Sequence, residues 1–451
     1  MGLGRDLCYA VAGVVSSPVW GWGLLRTGKW RTDWKGRFGW VPRSETVGFE
    51  GEQGGKTLLI HGVSVGEVNL IRPMVERLEG VEGLRLVIAA TTDTGVARAE
   101  QLYGERHRVV RYPLDFSWMV RRFLRAVKPD AVALVELEVW PNLVEQCAAG
   151  GVLVGVINGR LSERSYRGYR RIGWLVRGSF GRLWGVAAQT AEIAERFVGV
   201  GVPAERVVVL DTMKWDAARV EEPGEVAGVA EFAAEMGIDR APGSRPLVVW
   251  GSTGPGEEVM ALAGIAEDVQ LLIAPRKPEW FEGVVEAARA RGGGGLEVVR
   301  RTERTGVPDA AEAASPHGGK GCVLLLDTIG ELRKAYALAD VCVVGRSFTG
   351  KLYGSDMMEP IGLGKPTVVG PYTKDFSAVM EALRAGDGVV ETDDPWGAIR
   401  GLLEDRESAG AMAERGRAVI RARQSGGGSA GRHAAWVLGM MGLKKLLSAS
   451  C

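Results

Sequence analysis

Several residues in this 451-residue chain have types and spacings that can do chemistry. The first is Glu67, in the stretch Leu58-Leu59-Ile60-His61-Gly62-Val63-Ser64-Val65-Gly66-Glu67-Val68. The apolar run reads as a strand and the Gly/Ser segment as a turn. Leu70, Ile71, Met74, Val75 and Leu78 then follow at helical spacing. A strand that breaks into a helix over glycines leaves free N–H groups at the helix mouth. A carboxylate in that first turn is favoured by the helix dipole. Glu67 is therefore either an ordinary helix-start residue or a base held at the edge of a cleft; Ser64 and the glycines need no more than a tight turn to explain them.

A second group lies later in the chain. Ser252 and Thr253, within Gly251-Ser252-Thr253-Gly254-Pro255-Gly256, make an anion-receptive turn at a helix N-terminus, or merely a tight one. Arg276 and Lys277 directly follow a strand end, where Arg can grip phosphate with two parallel N–H bonds; a solvated basic loop has the same composition. Glu359, before Pro360, sits at a helix start, where a carboxylate binds two ribose hydroxyls or caps the helix. Lys351, Tyr353, Ser355 and Asp356 lie in the loop before it.

Two further features stand in the first half. Arg160, Arg164, Arg167, Arg170 and Arg171, interleaved with Tyr166 and Tyr169, suit an anionic partner or a solvated helix face. Glu136 and Glu138 close a strand. If the strand continues they share a face; if the chain turns, one faces the site and the other accepts from a nearby Arg or backbone N–H.

The elements that must position these groups alternate. Strands are expected at 58–61, 84–91, 109–112, 131–135, 152–158, 185–189 and 207–210, with helices opening at 92–95 and covering 119–127 and 191–198. Residues 221–245 read as a helical connection. Strands resume at 246–250, 270–274, 323–326, 341–344 and 367–369, and residues 292–295 and 313–321 read as loops, the latter a mobile surface segment. Such alternation predicts α/β architecture with parallel, doubly wound sheets, in which ligands gather at the carboxyl ends of strands. Residues 61–67, 91–95, 136–141 and 158–164 all lie at such ends. Two such domains in tandem, facing a cleft, is the GT-B arrangement of sugar-nucleotide transferases, by fold analogy.

Composition narrows the function. With 46% apolar residues the chain can build real cores, and a net charge of +1 gives no global field for nucleic acid. Five scattered cysteines and four distant histidines fit a reduced compartment and form no metal motif. Residues 7–25 carry no charge, which is just long enough to cross a bilayer core of about 30 Å. Arg26, Lys29, Arg31, Lys35 and Arg37 follow and should stay cytoplasmic, and Trp20, Trp22, Trp30, Trp34 and Trp40 crowd the same end. Pro18 and the glycines leave a spanning helix and a half-buried monotopic anchor both open. Beside such an anchor, anionic lipid is a natural ligand for the arginine cluster.

The order of the motifs resembles the 3-deoxy-D-manno-octulosonic acid (Kdo) transferases of lipopolysaccharide synthesis, from about residue 29 to about residue 420. His-Gly-Val-Ser-Val-Gly-Glu (61–67) resembles that family's H-A-V-S-V-G-E. Val-Glu-Leu-Glu-Val-Trp-Pro-Asn-Leu (135–143) and Asn-Gly-Arg-Leu-Ser-Glu-Arg-Ser-Tyr-Arg (158–167) resemble its next two motifs. Gly-Ser-Thr-Gly-Pro-Gly-Glu-Glu (251–258), Pro-Arg-Lys-Pro-Glu (275–279), Asp-Thr-Ile-Gly-Glu-Leu (327–332) and Glu-Pro (359–360) resemble its donor half. The resemblance implies a GT-B fold, a CMP-Kdo donor, a lipid A precursor (lipid IVA) as acceptor, inversion at the anomeric carbon, no nucleotide-chelating metal and no cofactor, and an anchor on the cytoplasmic face of the inner membrane. It implies that Glu67 is the base. Ser64, Glu136, Glu138, Arg160 and Arg164 would serve the acceptor. Ser252, Thr253, Arg276, Lys277, Gly330, Ser355, Asp356 and Glu359 would serve the donor, with Arg276 on the CMP phosphate and Glu359 on the ribose. The expected divisions are an anchor at 1–28, an acceptor domain at 29–218, a donor domain at 219–430 and a tail or helix at 431–451.

The chain also departs from the pattern. Gly254 and Lys277 stand where the family often has His. Tyr353-Gly354-Ser355-Asp356 replaces Gly-Gly-His-Asn, with one extra residue upstream, and Asp211-Thr212-Met213-Lys214 replaces Gly-Asn-Leu-Lys. These changes are expected on the donor side. They keep two other readings open: a GT-B transferase or epimerase for a UDP-linked sugar, and a non-catalytic lipid-binding descendant.

Overall fold

A computed structural model describes residues 4–11, 13–14, 17, 32–42, 55–264, 269–291, 296–304 and 322–443. The expected loops at 292–295 and 313–321, and most of the expected anchor, lie outside the described residues. The chain divides into two compact units, Met1–Ala217 with Gly426–Cys451, and Ala218–Ser425.

The first unit is built on seven strands: β1 (Lys56–Gly62), β2 (Leu84–Ala90), β3 (Arg108–Arg111), β4 (Ala131–Val135), β5 (Leu153–Gly159), β6 (Gly185–Ala188) and β7 (Val207–Val209). Their order is β3-β2-β1-β4-β5-β6-β7, and neighbours pair parallel, with His61 opposite both Ala89 and Leu134. Alternation along β1 explains the layers. Leu58 and Ile60 enter the core on one face and Leu59 the core on the other. The helix Gly428–Met440 also belongs to this unit. Its Ala430, Ala434, Val437 and Leu438 share the β1 core with Met74 and Val75.

The second unit is also built on seven strands, β8 (Leu247–Thr253), β9 (Gln270–Pro275), β10 (Glu297–Arg300), β11 (Cys322–Leu325), β12 (Val341–Val344), β13 (Thr367–Val369) and β14 (Val390–Glu391), with β11 inserted between β10 and β9. The order is β10-β11-β9-β8-β12-β13-β14, again parallel between neighbours. Each sheet reverses its winding direction once, at β1/β4 and at β8/β12. Such a reversal leaves a crevice at the strand ends where ligands bind.

Two local readings change. The helix after Glu67 is not continuous. It runs Val65–Leu70, pauses at Ile71 and restarts as Arg72–Leu78. Pro73 has no N–H to give to the carbonyl four residues back, so the ladder breaks there and the proline falls in the first turn of the new helix. The segment Asp211–Lys214 belongs to the first unit, not the donor side; the Met213 N–H donates to the Asn158 side chain at 2.9 Å.

At the N-terminus, described residues from 4 to 17 are helical. Asp6 accepts from the Ser117 N–H and from the Asn142 amide, both at 2.9 Å, and Arg5 pairs with Glu145. Leu7, Val11 and Val14, at helical spacing, are exposed. Among the described residues no helix is long and apolar enough to cross a membrane.

Candidate functional site

Glu67 lies in the first turn of the helix Val65–Leu70, directly past the end of β1. Its Oε2 accepts the Val63 N–H at 2.7 Å and its Oε1 the Ser64 hydroxyl at 3.2 Å. The turn is close-packed: a Cβ at Gly62 would lie 3.2 Å from the Glu67 Cβ, which leaves the carboxylate folded back over its own strand end. Burial raises its pKa most, the Val63 N–H opposes this, Glu136 and Glu138 raise it further and Ser64 lowers it. The net result is about 7. Ser64 thus serves the Glu67 carboxylate directly.

The neighbouring strand end supports this turn. The Val63 carbonyl accepts the N–H groups of Thr91 and Thr92 at 3.3 and 3.1 Å and the Thr92 hydroxyl at 3.1 Å. His61 is fully buried, stacks on Tyr112 with centroids 3.8 Å apart, and meets the Thr91 hydroxyl at 3.0 Å. Burial drops its pKa to about 3, so the ring is neutral and acts as a spacer beneath the turn.

At the end of β4 the chain turns. Glu136 takes φ +60°, while its N–H still donates to the Ile157 carbonyl at 3.0 Å and its carbonyl accepts the Arg160 N–H at 3.2 Å. Glu136 stands 4.0 Å from Arg160, while Glu138 accepts the Trp140 indole N–H at 2.8 Å. Both carboxylates are close enough to bear on the Glu67 titration. The structure therefore brings Ser64, Glu67, Glu136, Glu138 and Arg160 to one crevice, at the β1/β4 reversal. Arg164 lies apart, exposed on the helix Glu163–Arg171, none of whose residues is buried; on the same helix Arg167 pairs with Glu163 at 2.7 Å.

Beside the Thr91 turn is an almost wholly apolar cavity of about 760 Å³. Tyr9, Val14, Trp34, Leu114 and Phe116 line it, with Thr92 and Thr94 at its polar edge. Asp93 and Arg111 secure that edge. The Arg111 guanidinium gives 2.6 and 2.9 Å hydrogen bonds to Asp93 and to the Thr91 carbonyl.

In the second unit, Ser252 and Thr253 close β8, with Ser252 at φ +56° and both side chains buried. The Thr253 carbonyl accepts the Arg276 N–H at 3.0 Å, so the ends of β8 and β9 meet. Glu359, in the first turn of Met358–Gly362, has its pKa raised to about 7 by burial and by Asp356, against the opposing pull of Arg333 and Arg276. Ser355 is buried with an unpartnered hydroxyl. Arg276 and Lys277 are exposed, and Lys277 turns back to Glu279 at 3.1 Å and onto the Trp280 ring. In the 327–332 motif the carboxylates are structural. Asp327 accepts from Thr302, and Glu331 from Arg301 and Thr328. Gly330, at φ +97°, is left exposed at the turn. Ser252, Thr253, Arg276, Asp356 and Glu359 are thereby gathered at one crevice of this unit.

One residue inside the 251–258 motif has a role that its sequence does not announce. Glu257 is wholly buried and accepts three backbone N–H groups: Gly254 at 2.8 Å, Arg346 at 2.6 Å and Phe348 at 3.0 Å. One carboxylate therefore ties the turn after β8 to the loop after β12. The signal available was an acidic residue in a first helical turn, which is too common to single out. Among the described residues no group of three or more His, Cys, Asp or Glu is placed to hold a metal ion.

Residues 32–217 match the family model described as 3-deoxy-D-manno-octulosonic-acid transferase (kdotransferase). A relative from Bordetella pertussis, named 3-deoxy-D-manno-octulosonic acid transferase, is 33% identical over 72% of this chain and 74% of its own length. The chain belongs to the Kdo transferase family. A Chlamydia muridarum Kdo transferase is 26% identical over 92% of this chain and 93% of its own. The protein is accordingly a glycosyltransferase. The two-unit α/β fold is shared with the Anabaena HepE protein solved with UDP (12% identical, TM-score 0.58, covering 85% of this chain and 99% of that one). The Neisseria meningitidis UDP-GlcNAc 2-epimerase has the same GT-B-like fold (14% identical, TM-score 0.53, covering 86% and 99%).

In this Kdo transferase Gly254 lies against the tip of the half-buried Leu352 side chain, which would have to turn aside for a larger residue. A Cβ at Gly254 would sit 2.2 Å from the Leu352 Cδ1. The space a side chain at 254 would use is filled by the 346–352 loop.

Proposed function

We propose that this enzyme moves Kdo from CMP-Kdo to a lipid A precursor in lipopolysaccharide synthesis, with inversion and with Glu67 as general base. The observation that carries the reading is the Glu67 carboxylate itself. It is fixed by Val63 and Ser64, and its pKa of about 7 suits a base that must accept a proton near neutral pH.

In the step proposed, the acceptor hydroxyl oxygen attacks the anomeric carbon while its proton passes to Glu67. The bond from that carbon to the CMP phosphate oxygen breaks, and CMP leaves with the electron pair. Arg276 and the backbone N–H groups of the turn after β8 offset the charge on the departing phosphate. Glu359 and the Ser355 hydroxyl take the nucleoside hydroxyls. Lys277, held by Glu279, supplies positive potential at the rim. Gly330 allows close approach of backbone to the nucleotide, and Asp356 sets the charge beside Glu359. Arg160 faces the acceptor's phosphates, and Arg164, exposed on the neighbouring helix, adds positive potential outside the crevice.

The acceptor is a lipid, and the apolar cavity beside the Thr91 turn suits one of its acyl chains. Leu7, Val11 and Val14 suit contact with the inner membrane at its cytoplasmic face. Incubation with CMP-Kdo and lipid IVA, with products read by mass spectrometry, tests donor, acceptor and number of transfers together. Addition of Kdo mass to the lipid is expected. Turnover of UDP-linked sugars in its place would overturn the donor assignment.

A further inference from the structure

A cation stands at the β8/β12 reversal that none of the motifs quoted above includes. Arg346 directly follows Gly345 at the end of β12, where the Gly345 N–H still pairs with the Gly251 carbonyl at 2.8 Å. Its φ is +59°, a left-handed conformation that suits glycine and that other residues adopt at a cost. The backbone is held there from both sides. Its N–H donates to Glu257 at 2.6 Å, and its carbonyl accepts the Gly354 N–H at 2.7 Å. Residues kept in such conformations by their surroundings cluster at functional sites.

The side chain lies against the turn after β8. A Cβ at Gly254 would be 3.4 Å from the Arg346 Cγ. One guanidinium nitrogen donates to the Leu352 carbonyl at 3.0 Å, while among the described residues Nε is buried without a partner. Guanidinium recognises anions through paired N–H groups, and a buried N–H without an acceptor is costly unless something completes it. No carboxylate forms an ion pair with Arg346 among the described residues.

We propose that Arg346 contacts an anionic oxygen of the donor and helps to select a sugar nucleotide that carries one. A donor of this class carries two anionic groups, the nucleotide phosphate and the carboxylate of the sugar acid. This rests on the donor reading above. It adds to Arg276 a second cation, on the other side of the sheet reversal.

The test compares wild-type enzyme with Arg346→Gly and Arg346→Gln. Calorimetric titration gives CMP affinity and initial rates give KM for CMP-Kdo. Glycine accepts φ +59° freely, so Arg346→Gly should leave the thermal midpoint unchanged or raised, and a lost affinity cannot then be blamed on unfolding. Arg346→Gln removes the charge and the guanidinium fork while keeping a polar side chain at the position. A tenfold or larger loss of CMP affinity in both variants places Arg346 on the phosphate. Unchanged CMP affinity with a tenfold rise in KM for CMP-Kdo places it on the sugar carboxylate. CMP affinity and KM within twofold of wild type in both variants would overturn the proposal. Wild-type enzyme that neither binds CMP nor turns over CMP-Kdo would overturn the donor reading itself, and this assignment with it.

Discussion

The Oε2 atom of Glu67 lies 2.7 Å from the backbone nitrogen of Val63, four residues earlier. A carboxylate in a first helical turn usually reaches solvent or its own cap; this one reaches back across the turn to the strand it followed. The bond holds the ionised form, yet burial and the two nearby glutamates outweigh it and leave the group titrating near neutrality.

That balance sets a pH dependence. Transfer should rise with pH along a limb centred at about 7, the value for Glu67, as the base loses its proton. Stability should move the other way. The folded carboxyl binds its proton more tightly than a free glutamate at 4.5, so stability falls as pH rises from about 4.5 to about 7 and then levels. Glu359 is shifted in the same direction, to about 7, and contributes its own part of the slope. Urea midpoints at pH 5 and pH 8 check this. Glu67→Gln should shrink the difference between them; an unchanged difference would mean that Glu67 is not the shifted group.

Glu257 is expected to matter without touching substrate. Glu257→Ala leaves one buried and two partly buried N–H groups without their acceptor and should cost about 2–3 kcal/mol in urea unfolding. Because those groups lie in two loops of the donor crevice, KM for CMP-Kdo should rise at least tenfold while KM for the lipid acceptor stays within twofold. Equal rises in both would make Glu257 a general fold residue only.

Gly254 tests the coupling between the turn after β8 and the 346–352 loop. Gly254→His must displace Leu352, whose Cδ1 occupies the place of a Cβ. Donor KM should rise. Adding Leu352→Ala in the same chain should recover much of the loss, since it vacates that space. A double variant no better than Gly254→His would show that the two positions are not coupled.

Most of the sheet was legible in the sequence. The strands 131–135, 341–344 and 367–369 fall at the expected residues, because short buried runs bounded by turn residues leave little choice of ends. The edge strands β10 and β14 were not legible. Glu297–Arg300 is half polar and Val390–Glu391 has two residues, so neither carries an apolar run. Ile71 was read as mid-helix because its apolar spacing is right, while Pro73 two residues on decides the backbone. The Glu67 turn could be read because its parts are adjacent. Glu257 could not, because its partner Phe348 is 91 residues away and only pairing of β8 with β12 joins them. Arg346 was hidden for a related reason: nothing in the string Gly345-Arg346-Ser347 announces a left-handed arginine.

The most direct measurement is single-turnover transfer by Glu67→Gln, which keeps the shape of the side chain and removes its basicity. A rate at least 100-fold below wild type is expected, within the roughly 10²–10⁴ typical of a lost general base, with CMP affinity within twofold. Near-normal turnover in that variant would contradict the general-base role.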